Sequence, residues 1–264
     1  MKKELYNKMF REFPVMLTSG HNYVHIDRPK INIVPLSRVL DHFENEFNSE
    51  DISYYMAKSR SMTGSESEIK KIQQAILYEW DQERIESLNR GNLIHSNMES
   101  MFKTGSVIDP DWHKLCSGVY NTLMSKSDGS DVRIEQEVWD KDYLIGGTCD
   151  RLVIPNTRTK CLYGNYYDIK TGKVIRTTGD KFLKAPLDFL VECEYTRYAL
   201  QLSGYAYMGE KSFGIKPKSL VIEYIKGPYD KPSYITVPYM KYEVEIMFKA
   251  YRQHIIMTTD EENW

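Results

Sequence analysis

The sequence predicts an α/β protein in which helices flank a mixed central β-sheet, with a mainly helical N-terminal addition. Three observations predict it. Apolar residues recur at spacings near three and four from Ser65 to Leu88. After the polar stretch SKSDGSD the apolar period changes to two. Helical and strand-like segments then alternate to the C-terminus, as a sheet with helices packed on it requires.

The elements follow in order. PKINIV reads as a short strand, and Pro35-Leu36-Ser37 then starts a helix through RVLDHF, with Ser37 as its N-cap. Ile69, Ile72, Ile76, Leu77, Trp80, Ile85 and Leu88 form the stripe of a long helix. Asn89-Arg90-Gly91 is expected to break it, and a second helix is expected over about residues 92–103, with Ile94, Met98, Met101 and Phe102 on its apolar side. Three strands follow, RIEQEVWD, LIGGTCDRLVI and NYYDIKTGK, and their short polar links predict an antiparallel meander. A helix over about residues 194–208 comes next, then strands SLVIEYI and SYITVPY and a closing helix KYEVEIMFKAYRQHII. The division expected is 1–88 for the helical addition and 89–264 for the core.

Composition narrows the function. Apolar residues make up 41% and charged residues 27%, a folded rather than disordered balance. No run of about 18 apolar residues exists, so no membrane span is expected. MKKELYNKMFREF lacks the apolar middle of a secretory leader. Cys116, Cys149, Cys161 and Cys193 are too scattered for a CxxC site, so neither zinc nor an iron–sulphur cluster is expected, and the compartment expected is reducing and cytoplasmic. A net charge of -2 argues against a coat-like nucleic-acid binder but allows a local basic groove.

The sharpest local signal is Asp168-Ile169-Lys170 at the end of an aromatic strand. Alternate strand residues share a face, so Asp168 and Lys170 point one way and Ile169 the other. Gly146-Gly147-Thr148-Cys149-Asp150 lies on the preceding strand, and pairing would bring Asp150 to Asp168. Two converging carboxylates beside a lysine suit a hard cation such as Mg²⁺, with the Ile169 carbonyl as a third ligand and Lys170 orienting a water. A D-x-K triplet before Thr-Gly is also a common hairpin exit, so the triplet alone is weak. No GxSxG elbow, catalytic-cysteine signature, complete P-loop or HExxH competes with it.

The wider pattern resembles the PD-(D/E)XK nuclease superfamily: an Asp on one strand, 17 intervening residues, then D-I-K on the next. It is similar in particular to the RecB-like exonuclease branch. Gly91-Asn92-Leu93-Ile94-His95 matches that branch's Gly-x-x-x-His helix, Gly147-Thr148-Cys149-Asp150 its Gly-x-x-Asp strand, and Gln201-Leu202-Ser203-Gly204-Tyr205 its Gln-x-x-x-Tyr helix. The motifs occur in the expected order over about residues 89–226. The literal Pro of the superfamily name is absent, since Cys149 precedes Asp150.

The resemblance implies a restriction-endonuclease-like core and a Mg²⁺-dependent DNA exonuclease, with Mn²⁺ substituting. It implies His95, Asp150 and Asp168 as metal ligands, Lys170 as the catalytic lysine, and Gln201 and Tyr205 as supports for site and substrate. It also implies products with a 5′-phosphate, a role in recombination, repair or replication, and a single-strand annealing or binding protein as partner. The N-terminal half leans toward phage-type and mitochondrial genome-maintenance exonucleases. An endonuclease on the same fold and a non-catalytic nucleic-acid-binding module stay open. Arg197, Gln201 and Tyr205 are spaced by four and share a helix face, read here as lining a phosphate path. Lys173 and Arg176, in the basic loop KTGKVIRTTGDKFLK, are the further candidates for backbone contacts.

Overall fold

The computed structural model describes residues 10, 13–18, 22–126, 129–156, 161–172 and 174–258. Eight strands form one mixed sheet: β1 (Val15–Leu17), β2 (Tyr23–His25), β3 (Asn32–Pro35), β4 (Asp131–Asp140), β5 (Ile145–Ile154), β6 (Leu162–Lys170), β7 (Ile215–Tyr224) and β8 (Ser233–Val237). Among the described residues the α-helices beside them are α1 (Leu36–Phe43), α2 (Ser49–Arg60), α3 (Glu66–Thr104), α4 (His113–Lys126), α5 (Glu194–Phe213) and α6 (Lys241–Thr258).

The expected meander is present. β4 pairs antiparallel with β5 from Asp131↔Ile154 to Asp140↔Ile145, and β5 pairs antiparallel with β6 through Arg151↔Tyr167. The chain then crosses through α5 and returns as β7, which lies parallel to β6 with Asp168↔Ile222 and Lys170↔Tyr224. A parallel return needs such a crossover, because a tight hairpin can only reverse the chain. Antiparallel β8 closes that side of the sheet.

Two apolar layers hold the sheet. α1, α5 and α6 share one cluster with Cys149, Leu152 and Tyr166, in which Leu200, Met208 and Phe248 are fully buried. Each such side chain contributes about 1.5–3 kcal/mol of transfer free energy. Ile94, Met98 and Met101 of α3 and Cys116 and Val119 of α4 form the other cluster with Ile169 and Ile225. Tyr166 and Ile169 thus fall in different layers, as the strand period requires.

Three expectations need correction. Ser37 is not an N-cap; α1 begins at Leu36 after Pro35, without a side-chain cap. Helix α3 does not break at Asn89-Arg90-Gly91; it runs 39 residues to a left-handed Gly105 cap with φ 77. Gly91 stands beside Thr171, where an added Cβ would meet Oγ1 at 3.8 Å. The buried contacts of Ile94, Met98 and Met101 outweigh the helix penalty of about 1 kcal/mol for a glycine. The division at residue 88 is therefore crossed by one continuous helix. The helices of the N-terminal part are joined by strands, of which only PKINIV is expected from the sequence: β1–β3 join the sheet, and β3 pairs parallel with β5 at Val34↔Ile145 and Pro35↔Gly146. Among the described residues no helix is long and apolar enough to cross a membrane.

Candidate metal centre

Asp150 organises the site. Beyond the Arg151↔Tyr167 pair, the Ile169 amide donates to Asp150 Oδ2 at 2.5 Å, so a side chain continues where the β5–β6 ladder stops. The register sets Asp150 opposite Asp168. Asp150 is 8% exposed and Asp168 2%, so both carboxyls are largely removed from water. Lys170 Nζ lies 2.6 Å from Asp168 Oδ2 and 5.0 Å from the centre of the Tyr198 ring. Asp168 and Lys170 therefore share a face, while Ile169 sits in the apolar cluster under α3 and α4. Burial acts to lower the Lys170 ammonium, but Asp168 and Asp150 outweigh it and keep the charge.

Helix α3 delivers His95, whose Nδ1 stands 3.5 Å from Asp150 Oδ1. One residue that sequence reasoning missed also arrives here. Glu135 falls between the pairs Ile134↔Arg151 and Gln136↔Cys149, opposite Asp150, with a left-handed φ of 49. One ligand atom each from His95, Glu135 and Asp150 lie within 4.8 Å of one another. One imidazole and two carboxylates are donors that suit a divalent cation of the Mg²⁺/Mn²⁺ type. The donor set thus fits a resident cation.

Like charges in a low-dielectric pocket shift both acids. Burial, then Asp150 and Glu99, push the Glu135 carboxyl up to about 8. Burial and Asp168 push Asp150 up to about 6, against the opposing pull of His95 and Lys170. The consequence for stability has a definite sign. Between the ordinary carboxylate value of 4.5 and about 8, the folded state binds more protons at Glu135 than the unfolded chain, so stability falls as pH rises. Denaturation midpoints of metal-free protein are expected to drop from pH 5 to pH 8.5, and Glu135→Gln is expected to flatten that slope. A wild-type slope that matches the variant's would contradict the environment described for Glu135.

Behind the carboxylates, Tyr205 donates no charge but fixes shape. Gln201 Nε2 donates to Tyr205 Oη at 2.7 Å, and the Tyr205 ring lies against Gly147, where an added Cβ would stand 2.6 Å from Cε1. Burial and the nearby Asp168 hold the Tyr205 phenol well above its ordinary value, so it stays protonated. Gly147→Ala is expected to destabilise the fold by about 1–3 kcal/mol, because a buried ring cannot swing away as a chain tip would. Unchanged thermal unfolding would show that Tyr205 can yield. Tyr23 of β2 is a further neighbour missed in the sequence: its hydroxyl and Thr148 Oγ1 are 3.0 Å apart.

Two of the expected substrate contacts are engaged elsewhere. Arg197 binds Glu44 at 2.5 Å and Asp41 at 2.7 Å, both carried by or just past α1, and so clamps α5 to α1. Arg176 makes a bidentate pair with Glu194 at the start of α5, with Nη2–Oε1 at 2.6 Å. Each guanidinium therefore has carboxylate partners in the absence of substrate. Lys173 lies outside the described residues.

No protein-family model matches the chain, and no curated protein matches it. Among solved structures, the crystal structure of SSO0001 is similar over 98% of this chain and 87% of that chain, at 13% identity and a TM-score of 0.33. A likeness of that degree carries no weight for fold family or activity, so the reading of this protein rests on its own residues.

Proposed function

We propose that this chain is a divalent-cation-dependent deoxyribonuclease of the PD-(D/E)XK type, with a restriction-endonuclease-like core, and that it acts as an exonuclease. The observation that carries the reading is the meeting of Asp150, Asp168 and a charged Lys170 where β5 and β6 diverge, with His95 reaching in from α3. The elements that bear the four motifs also support it. A helix, the second and third strands of a meander, and the following helix occur in the order that the resemblance implies.

A bound divalent cation supplies a water of lowered pKa and draws charge from a phosphoryl oxygen. The chain's own groups do the remaining work. Asp150, fixed by the Ile169 amide, holds its free oxygen toward His95. Asp168 keeps the Lys170 ammonium charged and aimed along the same face. Lys170 can then orient the attacking water or stabilise negative charge that builds on the phosphate. Tyr205 and Gln201 hold the wall behind β5.

Linear end-labelled DNA and covalently closed circular DNA, each incubated with Mg²⁺ or Mn²⁺, test the proposal. The linear substrate is expected to shorten from its ends while the circle survives. Cutting of the circle would replace the exonuclease with an endonuclease, and binding without cutting of either would leave only a nucleic-acid-binding module.

A further inference from the structure

We infer that Glu135 is a further ligand of the cation that the site would hold, beside His95 and Asp150. This deepens the nuclease reading and rests on it for the reaction that the cation serves. None of the motifs that suggest that reading contains Glu135.

The geometry of the donors carries the inference. Asp150 Oδ2 is taken by the Ile169 amide, which leaves Oδ1 facing His95 Nδ1 at 3.5 Å. That is too long for an ordinary N–H···O bond, which runs about 2.7–3.2 Å. It is a natural spacing for two atoms on one ion, since ligands about 2.1 Å from a common centre stand at most about 4.2 Å apart. Glu135 supplies the third donor within 4.8 Å. Asp168 does not belong to this group; its Oδ2 is 2.6 Å from Lys170 Nζ.

The backbone at Glu135 points the same way. Its neighbours on both sides keep one register with β5, yet Glu135 itself departs to φ 49. Left-handed backbone is unusual for a residue with a long side chain and favours glycine. The carboxylate stands within reach of His95 and Asp150, with Glu99 and Lys103 as further charged neighbours and no hydrogen bond or ion pair to it among the described residues. A divalent cation placed between Glu135 and Asp150 would offset the charge of both carboxylates. One imidazole beside two carboxylates also predicts tighter binding of Mn²⁺ than of Mg²⁺.

Mn²⁺ titration followed by the electron paramagnetic resonance of the free ion tests this directly, on wild type, Glu135→Gln, Glu135→Gly and Asp168→Asn. Both Glu135 variants are expected to lose about tenfold or more in Mn²⁺ affinity, on the scale of lost metal-site groups. Asp168→Asn is expected to lose less. Glu135→Gly suits the left-handed backbone, so it keeps the fold even if the glutamine variant does not. Mn²⁺ bound by either folded Glu135 variant as tightly as by wild type overturns the inference. So does a larger loss in Asp168→Asn, or a wild type that binds no Mn²⁺. If Glu135 governs Mn²⁺ binding but no DNA is cut, the site stands and the nuclease reading falls. DNA cleavage with Mn²⁺ affinity indifferent to Glu135 gives the reverse.

Discussion

Lys170→Ala is expected to bind DNA as wild type does and to lose about 10²–10³-fold in turnover, the usual effect of removing one preorganised charge from a reacting centre. The structure places the ammonium against Asp168, and Asp168 and Asp150 keep it charged. Its removal also leaves Asp168 buried without a counter-charge. Some stability is therefore lost, and rates must be compared well below both melting temperatures. DNA binding read by fluorescence anisotropy and cleavage read under single-turnover conditions separate the two effects. Equal cleavage by variant and wild type would take Lys170 out of the chemistry. A parallel loss of binding and cleavage would assign it to substrate contact alone.

Glu223→Ala is expected to destabilise the protein by about 3–5 kcal/mol, the cost of stranding a buried charge. Arg151 on β5 is 1% exposed and Glu223 on β7 is fully buried, and Arg151 Nη2 donates to Glu223 Oε2. Tyr234 Oη donates to the other oxygen, Oε1, at 3.3 Å, and the guanidinium lies 4.6 Å from the centre of the Tyr167 ring. Arg151 immediately follows Asp150, so this pair braces the strand that carries the candidate ligand. Chemical denaturation measures the loss. A paired Arg151→Met, Glu223→Leu variant is expected to recover most of it, because well-packed apolar groups replace a buried ion pair at little cost. If Glu223→Ala unfolds like wild type, the pair is not the brace described.

Much of the core was legible because strand and helix periods differ. LIGGTCDRLVI and NYYDIK alternate or run apolar over lengths typical of strands, and their short links leave a meander as the simple pairing. Asp168 and Lys170 were legible for the same reason, since a shared face follows from a spacing of two. Helix α4 was not read: it has Gly118 in its interior and depends on tertiary contact of Leu115, Cys116 and Val119 with α3. Strands β1 and β2 have only three residues each, too few to show a period. Glu135 alternates with Glu137 along β4 and so reads as solvent-facing. Only the register with β5 reveals that it faces Asp150. The ion-pair partners of Arg197 were not legible, because its spacing from Gln201 and Tyr205 says nothing of Asp41 and Glu44, which approach from α1.

The proposed chemistry requires that the acids at the β5–β6 junction hold a cation that hydrolyses DNA. Cleavage of linear DNA by wild type and Asp168→Ala, followed as free Mg²⁺ is withdrawn with EDTA and then restored, measures this most directly. Wild-type cleavage is expected to stop on chelation and return with Mg²⁺, while Asp168→Ala stays inactive throughout. Cleavage that survives both EDTA and the loss of Asp168 would contradict the account.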